Sequence, residues 1–126
     1  MNEIEALLEK AKRSFDVAEA TLGQGHADFA ISRAYYGCFY VAQAMLLSAG
    51  LEYASHGQVV AQFGLHFAKT NKLDPMFHRL LSRAFQLRQG ADYDTSVVIE
   101  PEWVQEILKE GRRFLVAAST YLKPAS

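Results

Sequence analysis

Residues 32–46 read SRAYYGCFYVAQAML, and this stretch decides the fold. At 3.6 residues per turn, Ala34, Tyr35, Cys38, Phe39, Ala42, Met45 and Leu46, joined by Phe29 and Ile31 just upstream, cover most of a helix's circumference. An apolar stripe on one side marks a surface helix, whereas apolar residues nearly all round mark a helix enclosed by others. The spacing therefore predicts a central, most buried helix over about Ala27 to Ala49, with Gly50 as its C-terminal cap. Its only polar stripe is Arg33, Tyr36, Tyr40 and Gln43, at spacings that place them on one face.

The segments on either side supply the enclosing helices. Upstream, Ile4, Leu7, Leu8, Ala11, Phe15, Ala18 and Leu22 recur every three or four positions from Asn2 to Leu22, and Gly23 and Gly25 end that amphipathic helix. Downstream, Ser55 is an N-cap for a third helix from about His56 to Lys69, with Val59, Val60, Phe63 and Phe67 on its buried face. Asp74 and Pro75 form a cap and first-turn pair that opens a fourth helix carrying Phe77, Leu80, Leu81, Ala84, Phe85 and Leu87, expected to end near Gly90. Residues 90–100, GADYDTSVVIE, break the period and read as an ordered loop or short extended piece. Pro101 starts a fifth helix with Trp103, Val104, Ile107, Leu108, Phe114, Leu115 and Ala118 at helical spacing, ended by Lys123 and Pro124. No strand pair and no solenoid-type repeat is visible. The expectation is an all-α, antiparallel bundle of about five helices, forming a single domain over residues 1–126.

Composition narrows the function. The 126 residues are 50% hydrophobic and 21% charged, enough for one core and unlike a disordered tail. No apolar run approaches the roughly 20 residues that cross a bilayer. The start, MNEIEALLEK, carries Glu3, Glu5 and Glu9 and no apolar signal region, so a cytoplasmic location is expected. Thirteen Lys and Arg against fourteen Asp and Glu give a net charge of −1, so nucleic acid cannot be held by bulk positive charge and any contact must come from a local cluster. The single Cys38 lies in an apolar stretch and reads as a small buried residue. His26, His56, His66 and His78 form no pair at ligand spacing, so no metal site is expected. Nucleotide-loop and hydrolase signatures are absent too, and no cofactor is expected.

The local cluster exists. Between Asp74 and Asp92 there is no acidic residue, yet the segment holds His78, Arg79, Arg83 and Arg88. Arg79, Arg83 and Gln86 share one helix face; they are spaced to meet phosphates, or to pair with acids of a neighbouring helix. Arg88 instead continues the apolar stripe toward the helix end, where a guanidinium needs a partner. RQGADYD, residues 88–94, places one cation, two carboxylates and a phenol together; it reads either as a functional site or as a capping ion pair from Arg88 to Asp92 or Asp94. On the second helix, Arg33 and Tyr36 could line a groove with the fourth helix and hold a phosphate and a base, or Arg33 could pair with an acid of the first helix.

The string from Ser32 to Asp74, SRAYYGCFYVAQAMLLSAGLEYASHGQVVAQFGLHFAKTNKLD, followed by LLSRAFQLRQGADYD, resembles the HEPN domain family (higher eukaryotes and prokaryotes nucleotide-binding) over roughly residues 5 to 120. The second-helix stretch, His56 and the LRQGADY ending carry the likeness. The resemblance implies a helical bundle, commonly a homodimer whose cleft joins the ends of the fourth helices. It also implies RNA or nucleotide binding there, often as a metal-independent RNase toxin with an antitoxin. The nuclease motif is an Arg, a polar residue, a few more residues and a His. Arg88 and Gln89 match its first half, while Tyr93 stands where the His would fall. On this reading Arg88, Asp92 and Tyr93 are the catalytic candidates, and Arg33, Tyr36, His56, Arg83 and Gln89 the substrate-binding ones.

Metal-free RNA cleavage needs a base for the 2′-OH and cations for the developing charge on phosphorus. Arg88 suits the second role. A phenol, with a reference pKa of about 10, is ionised to about one part in a thousand at neutral pH, which makes tyrosine a poor base without neighbouring cations. A carboxylate such as Asp92 is too weak alone, and His56 could substitute if the fold brings it near. Two alternatives follow: a non-catalytic substrate- or nucleotide-binding partner of a small nucleotidyltransferase, with Tyr93 modified, or a helical dimerisation adaptor.

Overall fold

A computed structural model of the chain describes residues 2–123. It consists of α1 (Glu3–Gly23), α2 (Ala27–Ser48), α3 (His56–Phe63), α4 (Met76–Tyr93) and α5 (Pro101–Leu122), with no strand among the described residues. Pro124, expected to help end α5, lies outside them. The chain is all-α, as its periodicity requires.

Local chemistry sets the helix starts. The Asn2 side chain accepts from the Glu5 N–H, and the Ser55 hydroxyl accepts from the Gln58 N–H, each satisfying an amide that the first helical turn leaves free. Asp74 accepts from the Met76 N–H ahead of α4, and Pro101 occupies the first turn of α5. Gly25 and Gly50, at φ 88° and 75°, turn the chain out of α1 and α2 through backbone space that a side chain resists. Short links make successive helices antiparallel neighbours.

The central helix packs against each of the other four. Ile31, Ala34, Tyr35, Cys38, Val41, Ala42 and Met45 are fully buried along it. Phe15 of α1 fills the space between α2 and α5, and it fits because both opposing positions are glycine: a Cβ on Gly111 would come within 2.6 Å of its ring, and one on Gly37 would meet it too. Further out, Phe63, Phe67, Phe77 and Phe114 pack ring on ring, joining α3, α4 and α5. Burial of each such side chain contributes about 2–3 kcal/mol.

Two local expectations are corrected and a third is refined. The fourth helix does not end near Gly90 but runs to Tyr93, so Asp92 stands on the helix one turn beyond Arg88. Phe29, counted on the buried circumference of α2, is 68% exposed: in the first turn Ala27, Ala30 and Ile31 take the buried side and Phe29 falls on the open one. The third helix runs unbroken to Ala68, as expected, with its last five residues, Gly64–Ala68, wound as a π-helical turn. That turn begins where Gly64 meets the His78 imidazole, whose Nε2 donates to the Val60 carbonyl at 3.1 Å. No helix among the described residues is long and apolar enough to cross a membrane.

Candidate functional site

The site forms where the last turns of α4 cross the middle of α2 and the start of α3. Phe85 and Arg88 lie one turn apart on the inward face of α4, and Tyr35 and Tyr36 meet them from α2. The Arg88 guanidinium sits 5.6 Å from the Tyr35 ring centre and 5.3 Å from that of Tyr36, and it donates to the Tyr36 hydroxyl at 3.4 Å. Only 17% of the side chain is exposed. A cation withdrawn this far from water relies on the ring faces and on nearby carboxylates.

One carboxylate is near. Asp92 Oδ2 lies 2.9 Å from Arg88 Nε, and Asp92 Oδ1 accepts from the Ser32 hydroxyl at 3.2 Å. Asp92 thus takes up the Nε side of the guanidinium as a close ion pair, off the line of an ideal hydrogen bond. The ion pair between Arg88 and Asp92 expected from RQGADYD is present. Arg33 also bears on Tyr36, at 4.7 Å from the ring centre, and has no ion pair among the described residues. Two guanidinium groups against one carboxylate leave the immediate cluster with an excess positive charge.

His56 completes it. The imidazole stacks on Phe39 with ring centres 4.4 Å apart, and its Nδ1 is 2.6 Å from the Tyr35 hydroxyl. Burial, with the Arg88 charge as the second cause, lowers its pKa below 6.5, and burial raises that of the Tyr35 phenol. Both are neutral at neutral pH.

The fold thus brings together Arg33, Tyr36, His56, Arg88 and Asp92 from three elements. It does not bring Arg83 to them: that side chain turns to α5 and pairs with Glu106 at 3.4 Å, the outward pairing that its helix face allowed. Gln89 and Tyr93 are exposed, Tyr93 at 79%. Tyr35 and Ser32 are members that sequence reasoning missed. Tyr35 carried a signal, since a phenol on a face otherwise made of Ala, Ile and Cys must find a partner. Ser32 carried none. Cys38 is fully buried, and desolvation pushes its thiol up to about 12, which leaves it unreactive.

Chemically, the arrangement suits an anion. It offers a preformed guanidinium, a second guanidinium beside it, and aromatic faces on which a base could stack.

The HEPN domain family matches residues 4–120 of the chain. Among curated proteins, the chain is 37% identical over 120 residues to a Methanocaldococcus jannaschii protein named "Putative toxin", covering 95% of this chain and 82% of that one. A "UPF0332 protein" of Thermotoga maritima is 33% identical over 121 residues, covering 93% of this chain and 92% of that one. A second Methanocaldococcus jannaschii protein with the same toxin designation is 31% identical over 121 residues, covering 96% and 90%.

Proposed function

The chain belongs to the HEPN domain family, and from that premise we propose that it is a toxin-like, RNA-binding protein of the cytoplasm whose single domain holds RNA phosphates at Arg88. The observation that carries this reading is the state of Arg88. By the resemblance it stands at the family's motif position, it is mostly withdrawn from water, and its charge faces one carboxylate and two ring faces. A phosphate oxygen that reached the guanidinium would gain a charge-assisted hydrogen bond, a contact of about 1.5–3 kcal/mol. Two relatives named as toxins support a toxin-like role, with a neutralising protein partner as its counterpart.

On this reading Arg88 holds the phosphate and stabilises charge that gathers on phosphorus, Arg33 holds a neighbouring phosphate, and Tyr36 offers a stacking face. Asp92 balances Arg88 in the absence of RNA. The site acts as a homodimer cleft: Phe29 one turn ahead of Ser32 on α2, Tyr93 next to Asp92 at the end of α4, and Val98 in the loop that follows are all strongly exposed, and a second copy would cover them.

Induced expression in a bacterial host, with RNA profiling, tests the proposal. Growth arrest with RNA binding or cleavage that disappears in Arg88→Ala supports it; unchanged growth together with no RNA binding by the purified wild type overturns it. Sedimentation that gives the mass of one chain at micromolar concentration overturns the homodimer.

One observation favours a second reading. Tyr93, in the place of the motif histidine, is nearly free of contacts and open to another protein's active site. In that reading the chain is a non-catalytic partner of a small nucleotidyltransferase. Co-purification of the two proteins, with the mass of Tyr93 changed, would favour it.

A further inference from the structure

We infer that His56, oriented by Tyr35, is the second phosphate-contacting group of the Arg88 site, and that it contacts the ligand as a neutral hydrogen-bond donor through Nε2–H. The inference rests on the phosphate reading of Arg88 given above.

Tyr35 sets the state of the imidazole. Its side chain is fully buried, and its hydroxyl has one hydrogen-bond partner among the described residues, His56 Nδ1 at 2.6 Å. A buried phenol proton with nowhere to go is costly, so the hydroxyl donates and Nδ1 accepts. A neutral imidazole that accepts at Nδ1 carries its proton on Nε2. Protonating the ring would turn Nδ1 into a donor, strand the Tyr35 proton, and add a charge beside Arg88.

The other ring nitrogen is free. Among the described residues, Nε2 has no hydrogen-bond partner, and it is not one of the buried unpartnered atoms, so solvent reaches it. The ring cannot swing away, because Phe39 and Phe85 stack against it, at 4.4 Å and 6.4 Å between centres, and Tyr36 meets it edge-on at 5.6 Å. Tyr35 and Tyr36 are also the two rings under Arg88. Two donors, one charged and one neutral, are therefore fixed on the same pair of tyrosines and can meet different oxygens of one phosphate. The charged groups around His56 are Arg88 from α4 and, across Tyr36, Arg33 from α2. A neutral donor adds hydrogen bonding there without a third positive charge.

This separates His56 from the role of general base. A base needs the Nε2 lone pair, and the Tyr35 hydrogen bond holds the tautomer that lacks it. Tyr35 is a positioning residue.

The test uses the full-length protein labelled with nitrogen-15 in histidine, titrated with inorganic phosphate and with a short single-stranded RNA. The ring-nitrogen shifts of wild type at neutral pH should report the Nε2–H tautomer for His56, and the Nε2 signal should move on addition of either probe. Tyr35→Phe should convert the signal to a tautomer mixture and weaken RNA binding several-fold, while His56→Ala weakens it about tenfold. An Nδ1–H tautomer in the wild type overturns the inference without any variant. So do Tyr35→Phe and His56→Ala proteins that remain folded by circular dichroism and bind RNA as wild type does, while Arg88→Ala does not. Binding unaffected by Arg88→Ala would instead bring down the phosphate reading itself.

Discussion

Arg88 and Arg112 occupy the same kind of setting and differ in what surrounds them. Each guanidinium lies against an aromatic ring near a carboxylate: Arg112 of α5 is 6.0 Å from the centre of Phe15, donates to Asp16 at 3.1 Å and lies 3.7 Å from Glu19. Its side chain is 35% exposed, about twice the exposure of Arg88, and two acids from another helix neutralise it. Arg88 has one acid, from its own helix, and a neutral phenol hydroxyl. A partly exposed cation paired with two acids of another helix fastens the two helices together. A withdrawn cation with one acid, beside a second guanidinium, keeps positive charge for something that arrives. The difference lies in burial and in how far acids neutralise the charge, since a guanidinium and an aromatic contact are common to both.

The aromatic platforms give the largest expected effects. Phe15 fills a glycine-lined space in the core, so Phe15→Ala should cost about 3–5 kcal/mol in denaturant unfolding. Tyr36→Phe, which removes only the hydroxyl that receives Arg88, should leave stability within about 1 kcal/mol and weaken RNA binding severalfold. A Tyr36→Phe protein that unfolds as readily as Phe15→Ala would place both rings in the scaffold.

The arginines come next. Arg88→Ala should reduce affinity for single-stranded RNA by about ten- to a hundredfold, the scale of a charged hydrogen-bonded contact, whereas Arg112→Ala should change it by less than twofold. Filter binding at one fixed salt concentration checks both, since phosphate contacts weaken as salt rises. Equal losses in the two variants would remove the distinction between them.

Asp92 sharpens it further. Its carboxylate sits where a phosphate oxygen would have to approach Arg88, 2.9 Å from Nε. Asp92→Asn keeps the shape and the Ser32 contact while withdrawing the competing charge, so RNA affinity should rise a few-fold. A fall in affinity would give Asp92 a direct part in holding RNA.

The sequence made the helices legible because burial writes itself into periodicity. Residues 32–46 announced an enclosed helix, and caps and prolines marked the other starts. What it could not show was distance between elements. The spacing already set Arg83 and Arg88 on different faces of α4, but not that one reaches Glu106 on α5 and the other the tyrosines of α2. The place of His56 beside Arg88 depends on how α3 starts against α2, a contact between residues 21 apart that no local pattern encodes. The three helical residues beyond Gly90 were hidden because glycine signals a stop on propensity alone, while tertiary packing and the link from Asp92 to Ser32 carry the helix through it.

The smallest expected effect concerns Asp16, the acid that faces Arg112. Hydrogen bonds from Arg112, then from Lys12, hold its carboxyl below the ordinary value of 3.8. A carboxyl whose folded pKa is lowered stabilises the fold at pH above its unfolded value, and that contribution disappears as pH falls through the folded value. The pair is on the surface, so Asp16→Asn should cost under about 1 kcal/mol at neutral pH. The gap between wild type and variant should close below pH 3.8 and narrow in high salt, where exposed charges are screened. Urea unfolding from neutral to acid pH measures it. RNA affinity should not move, because the ion pair fastens α1 to α5 on a different set of contacts from the Arg88 cluster. If Asp16→Asn weakened RNA binding as much as Arg88→Ala does, the two arginine regions would be parts of one surface, and burial with neutralisation by acids would no longer distinguish scaffold from site in this protein.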